Sequence, residues 1–274
     1  MKIGETVFMN KILVVAKNKE TYFIKRLTQE LGTEKLSFFN PWEEELGDRK
    51  FSKVLVRTTG VYGGSADLVL LRTLPSDITV VNPIESLALL RNKNLQYQCF
   101  ASLGIPLLPW LNLETASLAE LQSFLANLQD EQFLIKPLRG QGGWGIRVFA
   151  PSELEDWFKK HDDHEYLVQP YRAAAEFRFF FIKEWGVTLK RIQSPGKVQA
   201  NFQQQGQAEL TFDRPEMKKI VDIIRGHISL DYGAADFLLL QEGPVLLEMN
   251  AVPGVEQVES IIGPVLPRLV SCLF

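Results

Sequence analysis

Lys136-Pro137-Leu138-Arg139-Gly140-Gln141-Gly142-Gly143-Trp144-Gly145 sets four glycines within six positions between two apolar runs, FLIK at 133–136 and IRVF at 146–149. The letters contain G-x-G-x-x-G. A dinucleotide-binding turn would need a helix directly after the loop and an acidic residue about 20 positions on. A strand pattern follows instead. The Gly-Lys-Ser/Thr of a Walker A loop is absent, as are the downstream lysine and His-Arg-Asp loop of a protein kinase. What remains is a strand–loop–strand flap. Glycines let backbone N–H groups approach phosphate oxygens, and Lys136 stands on the leading strand, where an ammonium can hold phosphates. A glycine-rich surface hairpin satisfies the same letters.

Upstream, KILVVA at 11–16, KVLVR at 53–57 and ITVV at 78–81 read as buried strands, with a helix from Lys19 to Leu31 that stops at Gly32. This alternation predicts a small parallel α/β domain over 1–84. A single helix is expected from Glu85 to Leu103, ending at Gly104, and another from Ser117 to Leu128. Helices are also expected from Pro151 to about Lys160 and from Pro215 to His227. Strands are read at YLVQ, FRFFFI and VTLKRI, and a hairpin at 236–240 with 245–250. The polar stretch Gln193–Gln207 reads as a loop.

The bulk numbers narrow the function classes. A chain of 274 residues with 46% apolar side chains can bury more than one core. A net charge of −3 with both signs dispersed gives no basic footprint for nucleic acid or anionic membrane. Cys99 and Cys272 have no metal or redox spacing and fit a reducing compartment. No apolar run is long enough to span a bilayer, so a cytoplasmic protein is expected. Met9 before Asn10-Lys11 reads as a second start, with 1–8 as an extension. A homo-oligomer stays open.

Two further groups of residues carry chemistry. Glu248 and Asn250 lie two apart on one strand, so they share a face, and with Asp236 they form the all-oxygen set that suits Mg²⁺. A solvated edge strand would show the same letters. Tyr166-Leu167-Val168-Gln169-Pro170-Tyr171, with Glu176-Phe177-Arg178 after it, could offer main-chain groups to an adenine edge and an acid to ribose hydroxyls. Read alone, it is an ordinary amphipathic strand. Arg191 offers a planar guanidinium for phosphate or carboxylate. His161, His164 and His227 are scattered and read as structural or solvated.

Together and in this order, these segments resemble the ATP-grasp superfamily, most of all its RimK-type and glutathione-synthetase-like carboxylate–amine ligases. The likeness runs from about Met9 to the C-terminus. It implies an α/β (α+β) fold in which the 1–84 domain precedes a central subdomain (85–168) and a C-terminal subdomain (169–274) that clamp the nucleotide. The family's Asp-Lys pair stands here as Asn92-Lys93. Lys93 and Lys136 match its nucleotide lysines, Gly140, Gly142, Gly143 and Gly145 its phosphate flap, and Gln169 and Tyr171 its adenine hinge. Pro170 replaces the usual glutamate, and Glu176 stands for the usual aspartate of the acid-x-Arg178 motif. Arg191 and Asn201 match positions near the γ-phosphate. Asp236, Glu248 and Asn250 match the metal ligands, and Pro253-Gly254 the turn after them. The resemblance implies ATP with Mg²⁺ or Mn²⁺, and an acyl phosphate that an amine converts to an amide. The substrates implied are small-molecule or peptide carboxylates and amines, with a protein tail as one acceptor. An ATP-binding regulatory or scaffold protein on the same fold is the alternative, since a fold does not fix a function.

One expectation is geometric. Opposed residues of an antiparallel hairpin share a face. Pairing Asp236 with Glu248 leaves Gln241-Glu242-Gly243 as a three-residue loop with glycine in the left-handed position. Pairing Asp236 with Asn250 also gives an odd loop. An odd loop is therefore expected, with the carboxylates of Asp236 and Glu248 converging on one cation-sized site, whereas an even loop would turn Asp236 to the opposite face.

Overall fold

In the computed structural model, residues 11–59, 65–140, 142–192, 207–212 and 214–273 are described. The strands of the described residues form three sheets.

The first holds β1 (Ile12–Val15), β2 (Leu36–Phe39), β3 (Lys53–Val56) and β4 (Thr79–Val81) in the order β2-β1-β3-β4. All its pairings are parallel. Parallel sheets are covered on both faces, and every side chain of β1 is buried. Between these strands lie α1 (Tyr22–Leu31) and α2 (Ala66–Arg72). Phe23, Ile24, Leu27 and Leu31 form the buried stripe of α1, which gives way at Gly32 with φ +82°. β2 and α2 were not among the expected elements.

The single helix expected over 85–103 is two, α3 (Ile84–Leu90) and α4 (Lys93–Ser102). Asn92 leaves the helical conformation, and its side chain accepts from the N–H groups of Asn94 and Leu95, so it starts the second helix as an N-cap. The apolar spacing runs on across the break, because α4 presents its stripe toward the same interior.

The second sheet contains β5 (Leu111–Asn112), β6 (Phe133–Pro137), β7 (Arg147–Phe149) and β8 (Tyr166–Pro170), ordered β5-β8-β6-β7 and antiparallel throughout. α5 (Leu118–Leu128) and α6 (Pro151–Lys160) pack on it. Ser117 and Glu120 close a capping box on α5, and proline occupies the first turn of α6. Phe133, Ile135, Leu154, Trp157 and Val168 belong to a core local to this sheet and its helices.

The third sheet has β9 (Ala175–Ile182), β10 (Trp185–Ile192), β11 (Gln207–Leu210), β12 (Tyr232–Leu240) and β13 (Gly243–Asn250), after which come α8 (Glu256–Ile262) and α9 (Leu266–Leu273); α7 (Pro215–His227) lies between β11 and β12. The order is β11-β10-β9-β12-β13, all antiparallel. Its core is shared with the first sheet. Phe177, Phe179 and Phe181 pack with Leu13, Val54 and Val56, while Phe180 and Tyr232 pack with Val14 and Leu55. Buried Asn82 ties the two sheets, donating to the carbonyls of Tyr232 and Ala251 and accepting from the amides of Asp231 and Tyr232. No helix among the described residues is long and apolar enough to cross a membrane.

Candidate active site

Strand register puts the charged residues of the third sheet on one face. Arg178 on β9 lies opposite Asp236 on β12, and Asp236 opposite Glu248 on β13. Glu176 lies opposite Arg191 on β10. Residues two apart on a strand share a face, so Glu176, Arg178, Arg191, Asp236, Glu248 and Asn250 all project to the same side.

The hairpin reaches this arrangement by a route other than the one expected. Leu240 pairs with Gly243, leaving Gln241-Glu242 as an even, two-residue loop. The register then shifts between Asp236 and Phe237: Phe237 pairs with Leu246, Asp236 with Glu248, and Leu247 is the extra residue of a bulge. The bulge cancels the effect of the even loop, so Asp236 still shares its face with Glu248. Gly243, at φ +126°, begins β13 and does not close a longer loop.

Asp236 is buried and takes both its short bonds from one guanidinium: Arg178 Nε and Nη2 donate to its two oxygens, each at 2.7 Å. Arg191 Nη1 approaches the same carboxylate at 3.3 Å. Burial alone would raise this carboxyl, but the charges of Arg178 and Arg191 and the paired hydrogen bonds outweigh it and hold it below the usual carboxylate range. Arg191 Nε is buried without a hydrogen-bond partner among the described residues, an orphan donor that an anionic ligand would satisfy. Glu248 is partly exposed, and one of its oxygens lies 3.7 Å from Lys93 Nζ. Asn250 Oδ1 accepts from the Val252 amide at the start of the turn through Pro253-Gly254.

Facing this row are the glycine loop and Lys136 of the second sheet and Lys93 at the start of α4. Lys136 Nζ is buried and donates to Tyr97 Oη at 3.1 Å and to the Leu247 carbonyl at 3.2 Å. Burial pulls its ammonium down to about 8, against the raising influence of Glu248 and Asp236. Lys93 Nζ donates to the Gly140 carbonyl at 3.0 Å, and burial lowers its pKa too. Gly142, Gly143 and Gly145 have φ of +73°, +76° and +79°, a region side chains disfavour. A Cβ on Gly145 would also stand 2.7 Å from Pro137. Trp144 projects from the flap, 69% exposed.

A cleft of about 270 Å³ separates the two sheets. Lys93, Lys136, Gly140, Gly142, Gly143, Gln169, Tyr171, Glu176, Arg178, Arg191, Asp236, Glu248 and Asn250 all line it. Gly145 shapes the flap without reaching the lining, and Asn201 lies outside the described residues, as does 193–206 of the expected loop. The apolar side chains of Leu108, Leu134, Ile146 and Leu238 also border it. The hinge departs from expectation. Pro170 has no N–H, and the Tyr171 amide donates to the Gln132 carbonyl at 2.9 Å. These two positions therefore present no free amide to a ligand.

Tyr97 was absent from the sequence-derived set. It stands one helical turn beyond Lys93, and Lys93, Gln96, Tyr97 and Phe100 form the buried stripe of α4. Polar residues at i and i+3 of a buried stripe were the signal that could have found it.

As for metal, no group of three or more His, Cys, Asp or Glu side chains among the described residues is placed to hold an ion. The set Asp236–Glu248–Asn250 is two carboxylates and an amide. It still fits a hard cation that takes its other ligands from phosphate and water. Glu248 is half committed, and Asp236 keeps lone pairs beyond those its guanidinium partners use.

The cleft thus lies between two antiparallel sheets, with the glycine flap, Lys136 and Lys93 on one side and a carboxylate–guanidinium row on the other. No family model matches the chain. In sequence it is 26% identical over 193 residues to a "Probable alpha-L-glutamate ligase" of Parasynechococcus marenigrum, covering 68% of this chain and 41% of that protein. The chain thus spans less than half the length of that relative. It is also 26% identical over 192 residues to "Probable alpha-L-glutamate ligase 1" of Shewanella amazonensis, covering 65% and 62% of the two chains. Among solved structures, D-cycloserine synthetase DcsG superposes with a TM-score of 0.76 at 17% identity, over 96% of this chain and 98% of that one. ATP-grasp ligase PsnB, complexed with a phosphomimetic variant of its minimal precursor, Mg and ADP, gives 0.70 at 17% identity over the same shares, 96% and 98%. The chain has the ATP-grasp fold, and its sequence is similar to the alpha-L-glutamate ligases.

Proposed function

We propose that this chain is an ATP- and Mg²⁺- (or Mn²⁺-) dependent carboxylate–amine ligase. The observation that carries the reading is the cleft in which two buried lysines, two partly buried arginines and the Asp236–Glu248–Asn250 set converge. That combination suits polyphosphate with a divalent cation: the orphan Nε of Arg191 and the depressed pKa values of Lys93 and Lys136 are what a cationic site shows before its anion arrives.

The adenine would lie between the apolar side chains of Leu134, Ile146 and Leu238, and Glu176 would meet the ribose. Lys93, Lys136 and the flap amides would hold the phosphates. Glu248, Asn250 and Asp236 would hold Mg²⁺, which when bound draws negative charge from the phosphate oxygens. An adjoining pocket between Thr58, Thr59, Arg91 and Glu248 would seat the acid. A carboxylate oxygen of that acid attacks the γ-phosphorus, the bond to the bridging oxygen breaks, and ADP leaves. The amine nitrogen then attacks the acyl carbon, loses a proton and expels phosphate, leaving an amide. Arg191 and Arg178 would stabilise the charge on the transferring phosphoryl group, and Asn201 is assigned to its vicinity by resemblance. The flap would keep water from the acyl phosphate. Under this reading 1–84, 85–168 and 169–274 are the N-terminal, central and metal-bearing parts.

Similar proteins support both kinds of acceptor. The alpha-L-glutamate ligases point to glutamate as a substrate to try first, and macrocyclase MdnC, of the same fold, is bound with a precursor peptide. The test is a screen of amino acids, small acids and acidic peptides with Mg-ATP, scored by phosphate release and product mass. A substrate-dependent ADP yield with a product lighter by one water than its two parts supports the ligase. Tight nucleotide binding without turnover on any pair supports a binding protein on the same fold.

A further inference from the structure

Tyr97 is fully buried, and no motif of the nucleotide cleft contains it. Its hydroxyl lies 2.8 Å from the Leu247 carbonyl, 2.9 Å from Gln169 Nε2, 3.1 Å from Lys136 Nζ and 3.2 Å from Gln169 Oε1. A hydroxyl has one proton and two lone pairs, and an ammonium only donates. The hydroxyl therefore accepts from Lys136 and from the Gln169 amide, and its proton goes to the Leu247 carbonyl, the nearer of two acceptors. All its capacity is used. Its partners lie on three strands of two sheets: β6, which leads into the flap, β8 at the hinge, and β13, which carries Glu248 and Asn250.

Lys136 also donates to the Leu247 carbonyl, so ammonium, hydroxyl and carbonyl close a triangle. The Leu247 carbonyl is the bulge's own. A lysine side chain has several rotatable bonds, and its head is a point charge without directional preference. Two acceptors from opposite sides of the cleft fix where that head sits. No bond is recorded for its third N–H among the described residues, which leaves it for a ligand.

We propose that Tyr97 is a positioning residue for the nucleotide phosphates, holding Lys136 at a fixed distance from the metal-side residues Glu248 and Asn250. This rests on reading the cleft as a nucleotide site. If Tyr97 were only core, its ring against Trp110 (centroids 5.2 Å apart) would account for it, and phenylalanine would serve equally well.

The test is binding of Mg-ADP by titration calorimetry to the whole chain as wild type, Tyr97→Phe, Lys136→Met and the double variant. Tyr97→Phe should bind roughly ten-fold more weakly, the size of one hydrogen bond to a charged group. In the Lys136→Met background the same change should have almost no effect, because its route of action is gone. Wild-type affinity in Tyr97→Phe overturns the inference. So does an equal loss in both backgrounds, which would make Tyr97 act independently of Lys136. If the wild type itself binds no nucleotide, the reading of the cleft falls first, and the inference with it. Should Tyr97→Phe not fold, Tyr97→Met fills a similar volume with a flexible chain and goes through the same cycle.

Discussion

Asp236→Asn removes one charge from a buried row, and the structure sets the size of the effect. The carboxylate side chain is 8% exposed and is shared by Arg178 and Arg191, 17% and 8% exposed. Without it, the two guanidinium groups lose the carboxylate they share and keep only the longer-range attraction of Glu176 and Glu248. Breaking a buried pair in this way costs about 3–5 kcal/mol. Over a chain of 274 residues, an unfolding entropy of about 2.1 cal/mol/K per residue converts this to a fall in Tm of about 5–9 °C. The pH dependence follows from the depressed carboxyl. Asp236 stabilises the fold wherever it is ionised, so the gap between wild type and variant should be constant from about pH 5 to 8. It should narrow only as pH falls below about 4, through the native-state value. Differential scanning fluorimetry of the nucleotide-free protein at several pH values measures this. A variant melting within 1 °C of the wild type at pH 7 would show that the arginines find other partners and that the row is not coupled as described.

Other substitutions probe the same site from different sides. Glu248→Gln should lower Mg-ATP turnover by about 100-fold or more while weakening ADP binding far less, since lysines and the apolar slot keep part of the affinity; full turnover removes Glu248 from the metal set. Arg191→Lys keeps the charge but loses the planar fork, and should slow the ligase reaction about ten-fold or more; an unchanged rate leaves Arg191 as a partner of Asp236 only. Burial puts Lys136 at about 8 in the free protein, and the ammonium is the form that binds phosphate. Calorimetric ADP affinity should therefore be highest below pH 8 and fall above it, and a flat profile from pH 7 to 9.5 contradicts that role.

Much of this site could be read from sequence because spacing encodes facing. Glu248 and Asn250 share a face by the period of a strand, and Lys136 precedes a loop whose glycines at positive φ bring main chain to the cleft. Helices with chemical end signals were placed to within a residue, as with Ser117 before α5 and Pro215 at the start of α7. What escaped had no such signal or was outvoted by another. β2, Leu36–Phe39, has Ser37 inside its apolar run, so it lacks the continuous apolar letters that mark β1. The apolar pattern across Arg91-Asn92 continues from α3 into α4, so it hid the break that the Asn92 cap makes. Tyr97 looked like any aromatic on a buried helix face, and its role is set by Gln169 and Leu247, 72 and 150 residues away.

The β12–β13 hairpin shows where a parity argument stops. A two-residue loop with an unbroken ladder would have placed Asp236 on the opposite face from Glu248. The bulge at Leu247 adds the residue the loop lacks, and the carboxylates pair as if the loop were odd. Loop length is visible as a cluster of turn-forming letters, but a bulge inside an apolar run such as Val245-Leu246-Leu247 leaves no mark. Its consequence is not confined to register. A bulged residue stands outside the regular ladder, and the carbonyl of Leu247 is the acceptor for both Tyr97 and Lys136. A straight strand would pair that group within the sheet or point it elsewhere. The residue that keeps Asp236 on the face of Glu248 therefore also anchors the lysine opposite them, which couples the spacing of cations and carboxylates across the cleft to one irregularity in one strand.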